Sequence, residues 1–262
     1  MKLSSIRSSS KGNAIVVWTE KTKLLIDCGI SGKEAEAGIR ELGLSPEDLD
    51  GILITHEHSD HILGVGVLGR RYHTPIFAND NTWAAMEPSL GKLAPIQKKA
   101  FVHTDPFTIG DIDIAPFSIS HDAADPVGYC FSHQGKKLAI ATDMGVLEEP
   151  VFRALKGCSA VLLEANHDIH MLEMGPYPLP LKRRIRSERG HLSNDDAGKA
   201  AEFLARMGVT QILLGHLSET NNYPLLAKKT VENALTSAGI TPGKDLLLDV
   251  APGTCIGKIC EI

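Results

Sequence analysis

The chain has 262 residues, a hydrophobic content of 43% and a formal net charge of −5. This length is enough to bury a sizeable core, whereas the acidic balance lacks the basic excess that is typical of nucleic-acid-binding proteins. No segment has the length and apolarity of a membrane span or the pattern of a secretion signal, so the sequence predicts a cytoplasmic protein with no membrane partner.

Alternating apolar and polar residues predict β-strands, and apolar residues at helical spacing predict helices. The predicted strands are Leu3–Ile6, Ala14–Thr19, Lys23–Asp27, Gly51–Thr55, Pro75–Ala78, Ile112–Ser120, Tyr129–His133, Lys137–Thr142, Ser159–Ala165, Gln211–Leu214, Asp245–Val250 and Thr254–Glu261. The predicted helices are Ser31–Leu42, Ile62–Tyr72, Asp80–Met86, Asn194–Met207 and Pro224–Ala238. The proline-rich segment Met171–Arg189 is predicted as an irregular loop, and long loops of this kind are often functional.

No linker, low-complexity segment or obvious repeat divides the chain. A single domain over residues 1–262 is therefore the simpler interpretation. The five cysteines are odd in number and form no Cys-x-x-Cys pair. This spacing argues against a disulfide framework and against a thiolate zinc site.

The most informative stretch is Thr55–His61, which directly follows an apolar run. His56 and His58 lie two positions apart, so they point the same way from an extended segment and can share one ion. Asp60 and His61 come after the chain has begun to turn and can hold a second ion. Imidazole and carboxylate groups suit zinc, manganese or iron. A solvated polar loop is the alternative, but it does not explain so dense a cluster of ligand types.

Four predicted strands are each followed by, or end close to, a histidine or an aspartate. If these strand ends lie along one edge of the sheets, the side chains converge there. Core histidines scattered by chance would not show this regularity. The strand-end residues are His56, His121, Asp143 and His216.

These residues, with His58, Asp60 and His61, resemble the full signature of the metallo-β-lactamase superfamily. Further motifs resemble its YycJ/WalJ branch, which is associated with DNA exonuclease activity from 5′ ends. The resemblance implies an αββα sandwich, in which two mixed β-sheets are flanked by helices and the metal site lies at one rim. The branch motifs include Ser8–Ala14, Leu25–Gly29, His121–Ala123, Glu164–Asp168, Gly190–Asn194 and Leu217–Pro224.

The resemblance also implies two divalent ions, zinc or manganese with iron as a further possibility. His56, His58 and His121 would hold the first ion; Asp60, His61 and His216 would hold the second; and Asp143 would bridge them. Asp60 is also predicted to be a catalytic residue. Asp27 resembles an aspartate that orients a ligand histidine, although a simple turn former at the strand end is the alternative.

We hypothesise that a hydroxide shared by the ions attacks phosphorus in line while the ester oxygen departs. A histidine beyond the ligands would protonate that oxygen, and the candidates are His167 and His191. Of these, His191 lies in a motif similar to the histidine motif of tRNase Z-like enzymes. The sequence does not choose between them.

A basic run precedes His191 and is either a solvated helix face or a phosphate-binding wall. Its candidate phosphate-binding residues are Lys182, Arg183, Arg184 and Arg186. The turn Ser8–Asn13 is likewise either a plain turn or a phosphate cradle, but it lacks the P-loop spacing.

Three functions follow from these alternatives. The favoured one is a dinuclear metal-dependent nuclease, most simply a DNA exonuclease acting from 5′ ends. The second is a hydrolase of a small lactone, thioester or cyclic phosphodiester on the same metal centre. The third, a non-catalytic metal-containing binding protein, conflicts with the complete set of candidate ligands. The sequence gives no oligomeric state.

Overall fold

The computed structural model describes all 262 residues and contains two seven-stranded β-sheets. The first sheet has the strand order β14-β1-β2-β3-β4-β5-β6, and the second has the order β13-β12-β11-β10-β9-β8-β7. The strands are β1 (Lys2–Ser9), β2 (Gly12–Trp18), β3 (Lys23–Ile26), β4 (Gly51–Leu53), β5 (Ile76–Asn79), β6 (Lys98–Phe101), β7 (Phe107–Ile109), β8 (Ile112–Ser118), β9 (Val127–His133), β10 (Lys136–Ala141), β11 (Ala160–Glu164), β12 (Gln211–Gly215), β13 (Leu247–Val250) and β14 (Cys260–Glu261).

Nine α-helices connect these strands, together with 3-10 turns at Pro46–Asp48 and Pro95–Gln97. None of the helices is both long enough and apolar enough to cross a bilayer. The helices are α1 (Gly32–Glu41), α2 (Ser59–Ile62), α3 (Val65–Tyr72), α4 (Asp80–Leu90), α5 (Glu149–Leu155), α6 (Ile169–Met174), α7 (Leu179–Ile185), α8 (Asn194–Arg206) and α9 (Pro224–Ser237).

Three apolar clusters define the layers of the molecule. One cluster joins residues of both sheets, including Leu24 of β3 and Tyr129 of β9, so the sheets pack face to face. A second cluster lies between the first sheet and helices α1, α3 and α4. The third lies between the second sheet and helices α5, α8 and α9. The predicted αββα sandwich is therefore confirmed.

Both sheets are mixed, and each has a parallel half. Strands β3 to β6 are parallel to one another in the first sheet, and strands β10 to β13 are parallel in the second. The carboxyl ends of parallel strands meet at one edge of a sheet. This arrangement brings the residues that follow β3, β4, β10, β11 and β12 to shared edges.

Some predicted elements were wrong. Met171–Arg189 is not an irregular loop, because it contains the end of α6 and all of α7. Proline is compatible with the first turn of a helix, and Pro180 occupies that place in α7. The predicted helix Ile62–Tyr72 is interrupted at Gly64, where a Cβ would lie 2.4 Å from the carbonyl oxygen of Ile30. The predicted strand Thr254–Glu261 is reduced to the two residues of β14.

Candidate metal centre

The candidate site lies where several strands end. His56 follows β4, His121 follows β8, Asp143 follows β10 and His216 follows β12. All four residues are buried. The structure thus brings together the strand-end residues that the sequence singled out, and the Thr55–His61 segment joins them.

Three histidines form the first group. The rings of His56, His58 and His121 have centroids 4.6 to 5.0 Å apart. Nε2 of His121 lies 3.3 Å from Nδ1 of His58. One nitrogen from each ring lies within 4.8 Å of the other two, so the group is compact enough to hold one ion.

The second group contains Asp60, His61 and His216, and Asp143 lies beside it. Nε2 of His61 is 3.5 Å from Oδ2 of Asp60, and Nε2 of His216 is 3.6 Å from the same oxygen. Oδ2 of Asp143 lies 3.4 Å from Nε2 of His61, and Oδ1 of Asp143 lies 3.3 Å from Nε2 of His216. Asp143 also groups with His56 and His61, so its carboxylate lies between the two sets of histidines.

Two of the strand-end residues, together with Asp27 after β3, adopt a left-handed backbone conformation. The φ angles are +57° for Asp27, +61° for Asp143 and +56° for His216. Such angles are uncommon outside glycine and concentrate at functional sites, where the surrounding structure maintains them. The tight turn after each strand directs the side chain into the site.

Asp27 contacts the ligand cluster through one histidine. Its Oδ2 lies 2.8 Å from Nδ1 of His61, while Oδ1 accepts a hydrogen bond from the backbone N–H of Thr55. The hydroxyl of Thr55 donates to Asp27 and lies 3.0 Å from Nδ1 of His56. Asp27 therefore fixes the ring of His61 with Nε2 facing Asp60 and Asp143, and Thr55 has a supporting role that the sequence did not reveal.

Glu164 is a further buried carboxylate. It begins the motif Glu164–Asp168, but the sequence assigned it no role. Its Oε1 lies 2.8 Å from Nδ1 of both His191 and His216, and its Oε2 accepts from the backbone N–H groups of Met144 and Leu192. Burial opposes ionisation of Glu164, but His191 and His216 outweigh burial and lower its pKa to about 2. A carboxylate at the end of an otherwise apolar strand was the available signal.

The donor set fits divalent cations. His56 Nε2, His216 Nε2 and Asp143 Oδ2 are buried without a partner in hydrogen-bond geometry. Buried polar atoms left in this way cost about 1–3 kcal/mol each unless something binds them. Burial lowers the pKa of His216, yet Asp143, Asp60 and Glu164 raise it to about 10. These carboxylates favour positive charge in the cluster, and the oxygen and nitrogen donors suit zinc, manganese or iron.

The Ser8–Asn13 turn packs beneath the site. The hydroxyl of Ser8 accepts a hydrogen bond from the backbone N–H of His216, and Nδ2 of Asn13 lies 3.2 Å from Nε2 of His61. Two of its amides are already paired, because Ser10 donates to the carbonyl of Leu217 and Lys11 donates to the hydroxyl of Ser9. The turn supports the histidines and is not an open phosphate cradle.

A cavity of about 190 Å³ opens over the cluster. Its lining includes Asp60, Asp143 and His216 of the cluster and three residues of α7. Leu181, Arg184 and Ile185 face this cavity at the spacing of one helical face.

The basic run is divided between two faces of α7. Lys182, Arg183 and Arg186 line a separate surface cleft together with Glu173. Arg186 pairs with Glu173, and Arg184 forms two hydrogen bonds with Asp122. Only Arg184 of the four predicted phosphate-binding residues therefore lines the cavity over the cluster.

The two candidate proton donors occupy different places. His191 is half-buried, lines the cavity and lies 3.8 Å from Asp143 through Nδ1. His167 is buried outside the cavity lining, and its backbone carbonyl accepts from Asn194 at the start of α8. Burial lowers the pKa of His167 to about 4. The structure thus exposes one of the two histidines to the cavity.

Comparisons with known proteins agree with this geometry. The β-lactamase superfamily domain matches residues 22–217. The chain is 43% identical over 244 residues to the exodeoxyribonuclease YycJ of Bacillus anthracis, covering 93% of this chain and 92% of that protein. It is 44% identical over 256 residues to the exodeoxyribonuclease WalJ of Streptococcus pneumoniae, covering 97% and 95%.

Solved structures of the metallo-β-lactamase fold resemble this chain as well. The metallo-β-lactamase fold protein YhfI from Bacillus subtilis superposes with a TM-score of 0.74 at 18% identity, over 99% of each chain. Such a low identity shows the fold alone. The match to the domain and the identity to YycJ and WalJ show more: the chain belongs to the metallo-β-lactamase superfamily of metal-dependent hydrolases, within its YycJ/WalJ branch.

Proposed function

We propose that this protein is a dinuclear metal-dependent exodeoxyribonuclease that acts from 5′ ends. The observation that carries the proposal is the compact cluster of histidines and aspartates under a cavity that Arg184 borders. The names of the relatives in Bacillus anthracis and Streptococcus pneumoniae support DNA as the substrate. A cytoplasmic location and a single domain over residues 1–262 stay predictions from the sequence.

The two proposed ion sites use the two groups of side chains. His56, His58 and His121 would hold the first ion. The second would be held by Asp60, His61 and His216, with Asp143 between the two. We expect zinc or manganese, with iron also compatible with these donors. When bound, such ions supply an activated water nucleophile and neutralise charge on the phosphodiester.

The surrounding carboxylates hold the histidines in the required tautomer. Asp27 accepts from Nδ1 of His61, and Glu164 accepts from Nδ1 of His216. In both cases Nε2 becomes the nitrogen available as a ligand. Fixed rings cost less reorganisation when a ligand binds, so both carboxylates contribute to affinity for the ions.

His191 is the better candidate for the proton donor to the departing alkoxide. Its Nδ1 is engaged by Glu164, which leaves Nε2 as the nitrogen available to a substrate in the cavity. Glu164 also fixes the orientation of the His191 ring, because its Oε1 lies 2.8 Å from Nδ1. His167 is the weaker candidate because it is buried outside the cavity lining and holds its neutral form more readily.

The basic residues of α7 and of its C-terminal end would contact phosphates in two places. Arg184 faces the cavity and would contact the phosphodiester near the cluster. Lys182, Arg183 and Arg186 border the outer cleft and would contact phosphates farther along the strand. A local basic surface of this kind can bind DNA although the whole chain is acidic.

The test is digestion of DNA by the protein reconstituted with zinc or with manganese. A 5′ label released at once as a mononucleotide indicates digestion from 5′ ends, whereas a 3′ label then appears in a descending ladder. Closed circular DNA is the control for internal cleavage. Asp60→Ala should be inactive on every DNA. Equal activity of Asp60→Ala, or no activity of the parent protein with either metal, contradicts the nuclease proposal.

The small volume of the cavity favours an alternative function, the hydrolysis of a small ester. A volume of about 190 Å³ is below the range of about 300–1,000 Å³ that is usual for pockets binding drug-sized ligands. Lactones, thioesters and cyclic phosphodiesters are the compounds to assay in parallel. Turnover of one of these, with no release of labelled nucleotide, would favour the alternative.

A further inference from the structure

The cavity over the metal centre has two chemically different sides. Carboxylates and imidazoles form the floor, and hydroxyls of Ser10 and Ser218 border it. The α6–α7 connection and α7 contribute the apolar lining residues Tyr177, Leu181 and Ile185, with Arg184 beside them on the same helix. A phosphodiester needs only the polar side. The apolar side fits a flat, weakly polar group attached to that phosphodiester, and in DNA such a group is the base.

The connection between α6 and α7 holds Tyr177 in place. Lys182 donates to the backbone carbonyls of Glu173 and Gly175. A Cβ on Gly175 would lie 2.7 Å from Oδ1 of Asn221, so the backbone packs directly on that side chain. Arg184 and Asp122 tie α7 to the loop that follows β8.

The sequence around Tyr177 adds to this rigidity. Pro176 and Pro178 flank it, and proline restricts both its own backbone and that of the preceding residue. A ring on a fixed backbone loses little conformational entropy when it contacts a ligand. The side chain is half-exposed, so one part of the ring remains accessible.

Tyr177 is the one aromatic ring in the cavity lining that does not belong to a histidine of the cluster or to His191. The rings of His58 and His216 are engaged by the candidate ion sites. Base stacking on aromatic side chains tolerates all four bases, because each base has a π-face. Such a contact suits an exonuclease, which must accept every sequence.

We propose that Tyr177 stacks on the base of the terminal nucleotide and thereby positions the adjacent phosphodiester over the metal centre. This inference rests on the proposed nuclease function and names the part of the substrate that the cavity recognises. The cavity has a volume of about 190 Å³, which is below the range of about 300–1,000 Å³ that is usual for pockets enclosing drug-sized ligands. The proposed contact therefore involves one unpaired base and not a base pair. Tyr177 is a positioning residue for the substrate.

The experiment measures kcat/KM on two substrates for the metal-loaded parent protein and for three variants. Both oligonucleotides are compared at the end that the parent protein digests. One has an ordinary nucleotide at that end, and the other has an abasic sugar there. The variants are Tyr177→Ala, Tyr177→Phe and Tyr223→Ala. Tyr223 is an exposed tyrosine outside the cavity lining and serves as the matched control.

The proposal predicts coupled losses. The parent protein should cleave the abasic end about tenfold to a hundredfold more slowly in kcat/KM, which is the usual range for losing one stacked base. Tyr177→Ala should show a loss of similar size on the ordinary end and little further loss on the abasic end. Tyr177→Phe and Tyr223→Ala should behave as the parent protein does.

Three outcomes overturn the inference while leaving the nuclease intact. These are full activity of Tyr177→Ala on the ordinary end, additive losses from the two changes, and a failure of Tyr177→Phe to retain the parent rate. Additive losses would mean that Tyr177 supports the structure of the cavity without contacting the base. If the parent protein digests neither substrate, the proposed function itself fails.

Discussion

Oε1 of Glu164 lies 2.8 Å from Nδ1 of His191, and the same oxygen lies 2.8 Å from Nδ1 of His216. One buried carboxylate therefore holds a candidate ligand and the candidate proton donor at once. In the proposed mechanism, binding of an ion and departure of the alkoxide depend on the same residue. This linkage gives the first prediction.

Glu164→Gln should impair both processes. The amide retains the shape of the side chain but loses the charge that favours both histidine N–H groups. We expect metal affinity to fall about 10–100-fold, as for other residues that orient ligands. Activity should fall further than the lost metal explains, so excess metal should restore it only in part. Metal titration followed by kcat measurement checks both effects.

Glu57→Gln is the matched control for this change. Glu57 lies between His56 and His58 in the chain and accepts from the backbone N–H of Ala124, but it contacts neither of the two histidines that Glu164 holds. It should leave metal affinity and kcat near the parent values. If excess metal restored the kcat of Glu164→Gln completely, the proposed role of Glu164 in holding His191 would be contradicted.

Asp27→Asn should weaken one ion site selectively. Asparagine tolerates the left-handed backbone found at this position, so the fold should survive. The neutral amide no longer holds His61 as firmly, and affinity for the second ion should fall about 10–100-fold. Titration monitored by metal content should show one weakened site of two.

Asp111→Asn is the control. Asp111 accepts hydroxyl hydrogen bonds from Thr19 and Thr22, as Asp27 accepts one from Thr55, but it lies remote from the cluster. It should bind both ions as the parent protein does. Equal weakening of both sites in Asp27→Asn would contradict the assignment of His61 to one ion.

The two candidate proton donors should separate in kinetics. His191→Ala should lower kcat on DNA by about 10²–10⁴-fold, which is the usual contribution of a general acid. It should lose much less on a p-nitrophenyl phosphodiester, whose leaving group departs without a proton. His167→Ala should chiefly lower the melting temperature, because His167 is buried against the start of α8. The reverse pattern would make His167 the donor.

Removal of metal should destabilise the fold. Ions that bind the buried nitrogens of His56 and His216 and the oxygen of Asp143 satisfy atoms that otherwise lack hydrogen-bond partners. A ligand at 1,000 times its Kd stabilises by about 4 kcal/mol, which raises Tm by about 8–16 °C in a protein of this size. Calorimetry of chelated and zinc-loaded protein measures the shift. Asp143→Ala should show a clearly smaller shift, and an equal one would argue against this site.

The two faces of α7 should differ in their salt dependence. Arg183→Ala with Arg186→Ala should weaken DNA binding and reduce the slope of log K against log salt by about 2, which is nearly one per lost phosphate contact. Arg184→Ala should chiefly lower kcat, because Arg184 faces the cavity. Binding of DNA by catalytically inactive Asp60→Ala forms provides the affinities. An unchanged slope in the double variant would exclude the outer cleft from DNA binding.

The sequence alone identified the cluster and most of the strands. The predicted bounds of β2, β8 and β10 were correct within a few residues. β8 alternates as expected of a strand with one buried face, whereas β2 is buried along its whole length. The ligand types in Thr55–His61 were recognisable from spacing over a few residues. Helix α7 and the end of α6 were missed because the prolines between them and at the start of α7 suggested a loop, although proline is compatible with a first helical turn.

Only the tertiary structure decided which distant residues meet. Glu164 is separated from His191 and His216 by 27 and 52 positions, so no local pattern revealed their contact. The division of the basic run, with Arg184 over the cavity and Lys182 facing outwards, depends on how α7 is rotated against the sheets. Local side-chain chemistry determined the kind of site, whereas its second layer of contacts depended on long-range packing.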